Sequence, residues 1–289
     1  MRKMYFIGVT TGASWIHPIF PRWAKLAGVD DAVLVGADFR VDAAPESYRA
    51  VIGALREDPH AMGALVTTHK VRIFEHARDL FTDFDPAAER LGEVGCIIRR
   101  GNRMTGLAID AVTAGIALRA ISEPAPFAQA LILGAGGAGV ALASHLGAAT
   151  LTDISPARVT QVRRLTSTPC VLVSGPEDHD RLLGVLPPGS LVVNATGMGK
   201  DRPGSPITSN ARFPTGAVAW DLNYRGDLLF LQYARDQDIR AVDGWEYFLV
   251  SWSRIMSLVF GFDLTPELFT AMREAAAAFR RPRRGEAEV

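Results

Sequence analysis

The run ALILGAGGAGVALASHL sets Gly134, Gly136 and Gly139 in G-x-G-x-x-G register between a strand-like apolar segment and a helical pattern. Each glycine answers a separate steric demand of a bound dinucleotide. The first permits a tight turn, the second lets a pyrophosphate approach the backbone, and the third allows close strand-helix packing beneath the phosphate at the helix start. Gly137 lies between them and belongs to the same expected cofactor-binding set. Glycine-rich turns also join strands to helices in proteins that bind no nucleotide, so the motif alone is weak evidence; the flanking strand and helix patterns favour the dinucleotide. Asp153 follows Gly134 by 19 positions, where an acidic side chain accepts hydrogen bonds from ribose hydroxyls. This favours NAD. The extra phosphate of NADP would meet a like charge, yet Arg158, Arg163 and Arg164 lie just downstream and can pair with it, so NADP stays open. Asp153 also suits the cap region of the helix opened by TDISPAR, and the two roles are compatible. Farther on, VVNATGMG puts Asn194, Thr196, Gly197 and Met198 just past a strand, at the edge where open α/β sheets bind ligands; this segment is expected on the nicotinamide side.

These residues need a scaffold. Short Val/Ile/Leu runs alternate with amphipathic stretches, the pattern of parallel strands with crossover helices, so the fold class is α/β. Strands are expected at 5–9, 32–36 and 63–67, with helices at 45–56 and 70–80. A second set of strands is expected at 130–133, 150–152, 171–172, 190–194 and 217–221. The helix-like stretch 111–121 runs into SEPAP, whose prolines cannot continue it and mark a linker. The division is therefore a substrate domain over 1–113, a Rossmann-type doubly wound dinucleotide domain over 114–242, helices over 243–280 that return to the first domain, and a flexible tail over 281–289.

Bulk composition excludes several function classes. The 289 residues suffice for two cores. Thirty-one basic residues balance thirty-one acidic ones, so no net field attracts nucleic acid or an anionic membrane. No apolar run reaches the roughly 20 residues of a bilayer crossing. Cys96 and Cys170 have neither disulfide-framework nor zinc-type spacing, which fits a reducing cytoplasm and no metal. The expected partner is a small-molecule substrate, with a homodimer compatible.

Taken in order, GAGGAG, VVNATGMG, DLNY and DGWEYFL resemble the shikimate dehydrogenase family and its quinate-using relatives. Upstream, VTTHK is similar to the family segment ending in the catalytic lysine and GLAID to the one carrying the catalytic aspartate, so the resemblance spans nearly the whole chain. It implies Lys70 and Asp110 as catalytic residues, Ser14 and Tyr224 as substrate contacts, and Gly244 at the cofactor; Thr67, as a local replacement, and Ser251 are also expected to contact the substrate. A lysine and an aspartate meeting in a cleft suit alcohol-to-ketone chemistry, because the alcohol sheds a proton as its hydride leaves for the nicotinamide. The aspartate's charge holds the lysine protonated while burial opposes it, so Lys70 as base and Lys70 as electrostatic stabiliser both stand, and the pair is assigned jointly. Taken singly, Lys70 reads as a helix-start surface residue and Asp110 as a helix cap.

The chain departs from the family where the ring is gripped. Ile16 replaces the second serine of the carboxylate-binding pair, Val66 a threonine, Gly95 an asparagine, and Ser251 a late glutamine. Each lost partner of a buried hydroxyl costs roughly 1 to 3 kcal/mol, which argues against shikimate itself. Ser14 and Tyr224 still imply an anionic, carboxylated substrate. His17, Thr67, Thr68 and His69 lie near the entrance segments, and Trp245 and Tyr247 suggest a flatter or less polar ligand, although core packing is the commoner fate of such rings. The expectation is an NAD(P)-dependent oxidoreductase of a cyclic, carboxylated secondary alcohol. The alternatives are a catalytically idle dinucleotide sensor and a folate-linked dehydrogenase of similar architecture.

Overall fold

The computed structural model describes residues 1–40, 42–122, 126–200 and 202–280. It divides into two compact units, Met1–Ala108 with Trp252–Val289, and Ile109–Ser251. In the first unit β1 (Arg2–Gly8), α1 (Ile16–Leu26), β2 (Ala32–Asp38), α2 (Pro45–Glu57), β3 (Ala61–Val66) and α3 (Lys70–Ala77) alternate. After them come β4 (Asp83–Phe84), α4 (Pro86–Leu91), β5 (Cys96–Arg100) and β6 (Arg103–Leu107). The sheet order is β2-β1-β3-β5-β6-β4. β1 lies parallel to β2 and β3, whereas β5 runs antiparallel to both β3 and β6. The antiparallel hairpin is absent from the sequence expectation, although its two-residue Gly-Asn turn is a local signal: Gly101 takes φ 59°, which such a turn favours. Tyr48, Ile52 and Leu55, spaced at i, i+4 and i+7 on α2, enter a core with Ile7, Val66, Ile73 and Ile97, so an amphipathic helix covers one face of the sheet.

The second unit contains α5 (Asp110–Ile121), β7 (Ala130–Leu133), α6 (Gly137–Ala143), β8 (Ala149–Asp153), α7 (Pro156–Leu165), β9 (Cys170–Leu172) and α8 (Pro176–Leu183). It continues through β10 (Leu191–Asn194), β11 (Val218–Asp221), α9 (Leu229–Arg235) and β12 (Arg240–Val242). All six strands are parallel, in the order β12-β11-β10-β7-β8-β9. The chain winds outward from β7 to β9, then crosses back to β10, so the order reverses between β7 and β10. That switch point is where a doubly wound sheet opens a crevice at its carboxyl edge. Each of the five expected strands is present; β12, three residues long and opening on an exposed arginine, lacks the apolar run that would reveal it. The expected linker stretch 122–126 falls between α5 and β7, with residues 123–125 outside the described ones.

Two helices close the chain, α10 (Trp245–Phe260) and α11 (Pro266–Ala277), and the division between units falls inside α10, at Ser251 and Trp252. The hydroxyl of Thr265 accepts from Leu268 N–H and Pro266 takes the first helical position, which fixes the start of α11. Within the first unit, the Trp23 indole N–H of α1 donates to Met272 O of α11 at 2.7 Å, and the Arg100 guanidinium caps α10 through Val259 O at 2.9 Å. Among the described residues no helix is long and apolar enough to cross a membrane, and no cluster of His, Cys, Asp or Glu has metal-binding geometry. The expected tail, 281–289, lies outside the described residues.

Candidate active site

In the first unit the candidate side chains collect at the carboxyl ends of the three parallel strands. β1 ends at Gly8, a short 3-10 turn spans Thr11–Ala13, and Ser14 follows, buried, its hydroxyl accepting from Ile16 N–H at 3.3 Å. Asp38 closes β2 and receives Thr11 N–H at 2.8 Å, while the His17 ring contacts Thr11 O through Nε2 at 3.0 Å. Past β3, the backbone N–H and the hydroxyl of Thr67 both donate to Ile7 O, at 3.0 and 3.2 Å. Gly8 makes that approach possible, since a Cβ there would stand 2.7 Å from Thr67 Oγ1. Lys70 is the first residue of α3, and its carbonyl receives Val94 N–H at 3.1 Å. The preceding His69 is fully buried. Its Nε2 lies 3.2 Å from Gly8 O and 3.0 Å from Phe39 O, so that nitrogen carries the proton; Nδ1 faces the Tyr48 hydroxyl at 3.5 Å. Burial holds this imidazole below its usual pKa. The departures from the family have a structural counterpart here. Ile16 and Val66 are core residues, at 0% and 1% exposure, so neither position offers a polar group to a ligand.

The glycine turn of the second unit divides its labour sterically. Gly134 takes φ 101°, and a Cβ on it would meet the Ala195 carbonyl at 2.9 Å, in the loop after β10. A Cβ on Gly139 would lie 2.1 Å from Gly134 O, so α6 packs against the turn only because that side chain is absent. Gly136, by contrast, has nothing within 4 Å of its would-be Cβ. The turn is thus tight on two sides and open on the third, as a backbone cradle for a phosphate group requires. Asp153 closes β8 beside this turn, one oxygen accepting Ala135 N–H at 3.1 Å and the other Ser155 N–H at 2.9 Å. The cap of α7 itself is Ser155, which accepts from Arg158 N–H, so Asp153 braces the turn and the cap together. Arg158 Nε donates to Ala135 O at 2.6 Å, and its Nη1 to Gln161.

Across the switch point, the loop after β10 is held by polar side chains. Asn194, fully buried, donates from Nδ2 to Asp221 Oδ2 at 2.9 Å and to Met198 O at 3.1 Å. Its Oδ1 receives the Thr196 hydroxyl at 2.7 Å and Thr196 N–H at 3.1 Å, and Thr196 Oγ1 in turn receives Met198 N–H at 3.1 Å. Gly197 and Gly199 take φ 76° and 88°, which lets the chain fold back over Asn194. Asp221 and Asn223 are the residues that sequence reasoning missed; the signal is two polar residues interrupting the apolar strand run in VAWDLN. Burial pushes the Asp221 carboxyl up to about 7, against the pull of the Asn223 and Asn194 donors.

Gly244 precedes α10, and a Cβ there would collide with Leu222 O at 2.1 Å. Tyr224 packs on Phe248 with ring centroids 4.4 Å apart, and Phe248 stacks on the buried Trp245 at 5.3 Å. Trp245 therefore sits in an aromatic cluster around Tyr224. Among the described residues the buried Ser251 hydroxyl has no hydrogen-bond partner, and Asp110 occupies the first turn of α5, buried at 4% exposure.

No protein-family model matches the chain. Two curated relatives are shikimate dehydrogenases (NADP(+)). That of Stenotrophomonas maltophilia is 30% identical over 227 residues, 73% of this chain and 75% of that protein. That of Symbiobacterium thermophilum is 28% identical over 229 residues, 71% of this chain and 76% of that protein. Among solved structures, shikimate 5-dehydrogenase from Thermus thermophilus in complex with NADP(H) and shikimate superposes with a TM-score of 0.73 at 24% identity, over 96% of this chain and 99% of that one. Quinate dehydrogenase from Corynebacterium glutamicum in complex with NAD gives 0.71 at 18% identity, over 96% and 99%.

Proposed function

The chain belongs to the shikimate dehydrogenase family, and from that premise we propose that it is a nicotinamide-dinucleotide-dependent oxidoreductase acting on a cyclic, carboxylated secondary alcohol, shikimate- or quinate-like but not shikimate. The observation that carries the reading is the turn at Gly134–Gly139, closed by Ala195 and by α6 but open at Gly136. Such a turn fits a pyrophosphate lying against the backbone between β7 and α6. Gly137, Asn194, Thr196, Gly197, Met198 and Gly244 complete the expected dinucleotide contacts. When bound, the nicotinamide accepts or returns the hydride. The protein's own work is the proton: Lys70 and Asp110 together take it from the alcohol, or supply it to the ketone. Ser14 and Tyr224 hold the carboxylate, Thr67 and Ser251 face the ring, and the apolar Ile16 and Val66 leave hydroxyls at those positions without partners.

NAD is the preferred cofactor in this reading, because Asp153 sits beside the turn where a 2′-phosphate would bring a second negative charge. The second reading is NADP, favoured by the curated relatives' names and by the Arg158 guanidinium on the Ala135 carbonyl. Absorbance of the reduced nicotinamide, followed with NAD or NADP against a panel of shikimate, quinate, amino-substituted analogues and other hydroxylated ring acids, tests cofactor and substrate at once. The expected result is NAD-linked turnover of a ring acid other than shikimate. Dinucleotide binding without turnover of any ring acid would favour the idle sensor, and no binding of either dinucleotide would overturn the proposal.

A further inference from the structure

We propose that Asp221 is a positioning residue, whose carboxylate acts through Asn194 and Asn223 to hold the 194–199 turn in the shape that receives the nicotinamide end of the cofactor. The inference rests on the dinucleotide reading above. It begins with the register of the sheet: Asp221 and Asn194 are the last residues of β11 and β10 and are paired neighbours. Asp221 Oδ2 accepts from Asn194 Nδ2 at 2.9 Å and Oδ1 from Asn223 N–H at 2.8 Å, so one carboxylate ties the ends of two adjacent strands. The side-chain amides of Asn194 and Asn223 then converge on one acceptor, Met198 O, each at 3.1 Å. With the Thr196 and Met198 N–H groups closing onto Asn194 Oδ1 and Thr196 Oγ1, the turn is tied through Asn194 to this one acid beneath it.

A carboxylate at 0% exposure is an expensive choice for a merely structural acceptor, since an ionised group loses its hydration there. Its chemistry explains the choice. The groups it contacts are donors, and a carboxylate accepts from both directions at once, whereas an amide or a hydroxyl in its place presents a hydrogen to one of them. Of the charged groups nearby, Lys200 in the loop after β10 stabilises the ionised form. On the β12 side the chain passes to Asp243, whose carboxylate accepts Trp245 N–H. Protonation of Asp221 would put a hydrogen between donors, so the order of the turn should follow its ionisation in the neutral range, where burial has already moved it.

The test is amide exchange of the full chain without ligand, read as protection factors at Thr196 and Met198 from pH 6 to 8.5, for wild type and Asp221→Asn, alongside NADH binding by fluorescence over the same range. Wild type should gain protection at both amides as pH rises. Asp221→Asn should show weak, pH-independent protection and about tenfold weaker NADH binding, the loss of one hydrogen bond to a charged acceptor. Asn223→Ala, which removes a donor to Met198 O and a side-chain donor to the Asp221 carboxylate, should lower protection yet keep a pH dependence, displaced to higher pH, and it decides the matter if Asp221→Asn does not fold. Protection at Thr196 and Met198 that is flat with pH in wild type, or unchanged in Asp221→Asn, overturns the proposal. A wild-type protein that binds no dinucleotide would instead refute the cofactor reading, and the exchange data would still judge the role of Asp221 in the turn.

Discussion

Alanine at Gly136 and alanine at Gly139 should have opposite consequences, although the two glycines belong to one motif. At Gly139 the new methyl would stand 2.1 Å from Gly134 O and 3.4 Å from Ile132 Cγ2. Since Gly134 O is backbone, α6 must move off β7 by more than 1 Å to reach an ordinary contact of about 3.4 Å or more. Forcing a methyl into a packed site of this kind costs roughly 1 to 3 kcal/mol, and a unit of this size loses about 2 to 4 °C in Tm per kcal/mol. Gly139→Ala should therefore lower the melting temperature by about 2 to 12 °C and weaken dinucleotide binding with it. At Gly136 the methyl meets nothing within 4 Å, and the backbone, at φ −66° and ψ −177°, suits alanine. Stability should change by less than about 1 kcal/mol and can increase, because the unfolded chain loses freedom. The methyl would instead occupy the open side of the turn, where the pyrophosphate is expected, so the same overpacking penalty falls on the complex alone and weakens NADH binding by about ten- to a hundredfold. Thermal melts with and without NADH, together with fluorescence titrations, separate the two effects. NADH binding by Gly136→Ala at wild-type affinity would refute placing the pyrophosphate on this turn; a wild-type melt for Gly139→Ala would refute the steric argument.

Lys70→Ala should lower turnover by orders of magnitude while leaving NADH affinity within about twofold, because the lysine serves the substrate proton and not the dinucleotide; parallel loss of both would remove it from the chemistry. Asp153→Ala should weaken NAD more than NADP, since it removes a ribose acceptor and a charge that repels a 2′-phosphate, and an unchanged ratio of the two dissociation constants would contradict the assignment. The pH dependence of stability carries a fourth expectation. Burial holds His179 below its usual pKa, with Nε2 on Thr152 Oγ1 at 2.9 Å and Nδ1 on Pro206 O at 2.7 Å. The unfolded chain then binds the extra proton first, so this histidine's contribution is fully present above about pH 6.5 and is lost as pH falls below that value toward the lower folded pKa. Replacing it by glutamine should flatten the fall of the urea midpoint between pH 7 and 5, and an equal slope in both proteins would count against the mechanism.

Local patterns were sufficient wherever the chain's chemistry is local. The strand at 130–133, the turn at Gly134 and the helix behind it were legible because apolar runs, glycine sterics and helix periodicity act over a few residues. The parallel strands beneath the candidate site were legible too, since strands buried on both faces must be apolar throughout. Asn194 and Asp153, polar residues at strand ends, stood out against those runs, whereas Asp221 at the end of β11 did not. The β5–β6 hairpin and β12 escaped, the first because CIIRR and RMTGL carry too many arginines for an apolar signal, the second because three residues carry almost none.

Long-range pairing was a different matter. Nothing in the spacing of Asn194, Met198, Asp221 and Asn223 reveals that they share one network; it exists because β10 and β11, separated by more than twenty residues of chain, are brought side by side in register. The same holds for His69, an entrance-segment candidate beside Lys70 in the sequence and a buried tie between the ends of β1 and β2 in the fold. Sequence determined the class and the glycine turn, because those depend on residue type and short-range geometry, while Lys70 and Asp110 were candidates through the resemblance to the family. Tertiary structure decided which polar groups are left for a ligand and which are taken by the backbone, because satisfaction of a buried hydrogen-bonding group depends on whatever the rest of the chain places within about 3 Å of it.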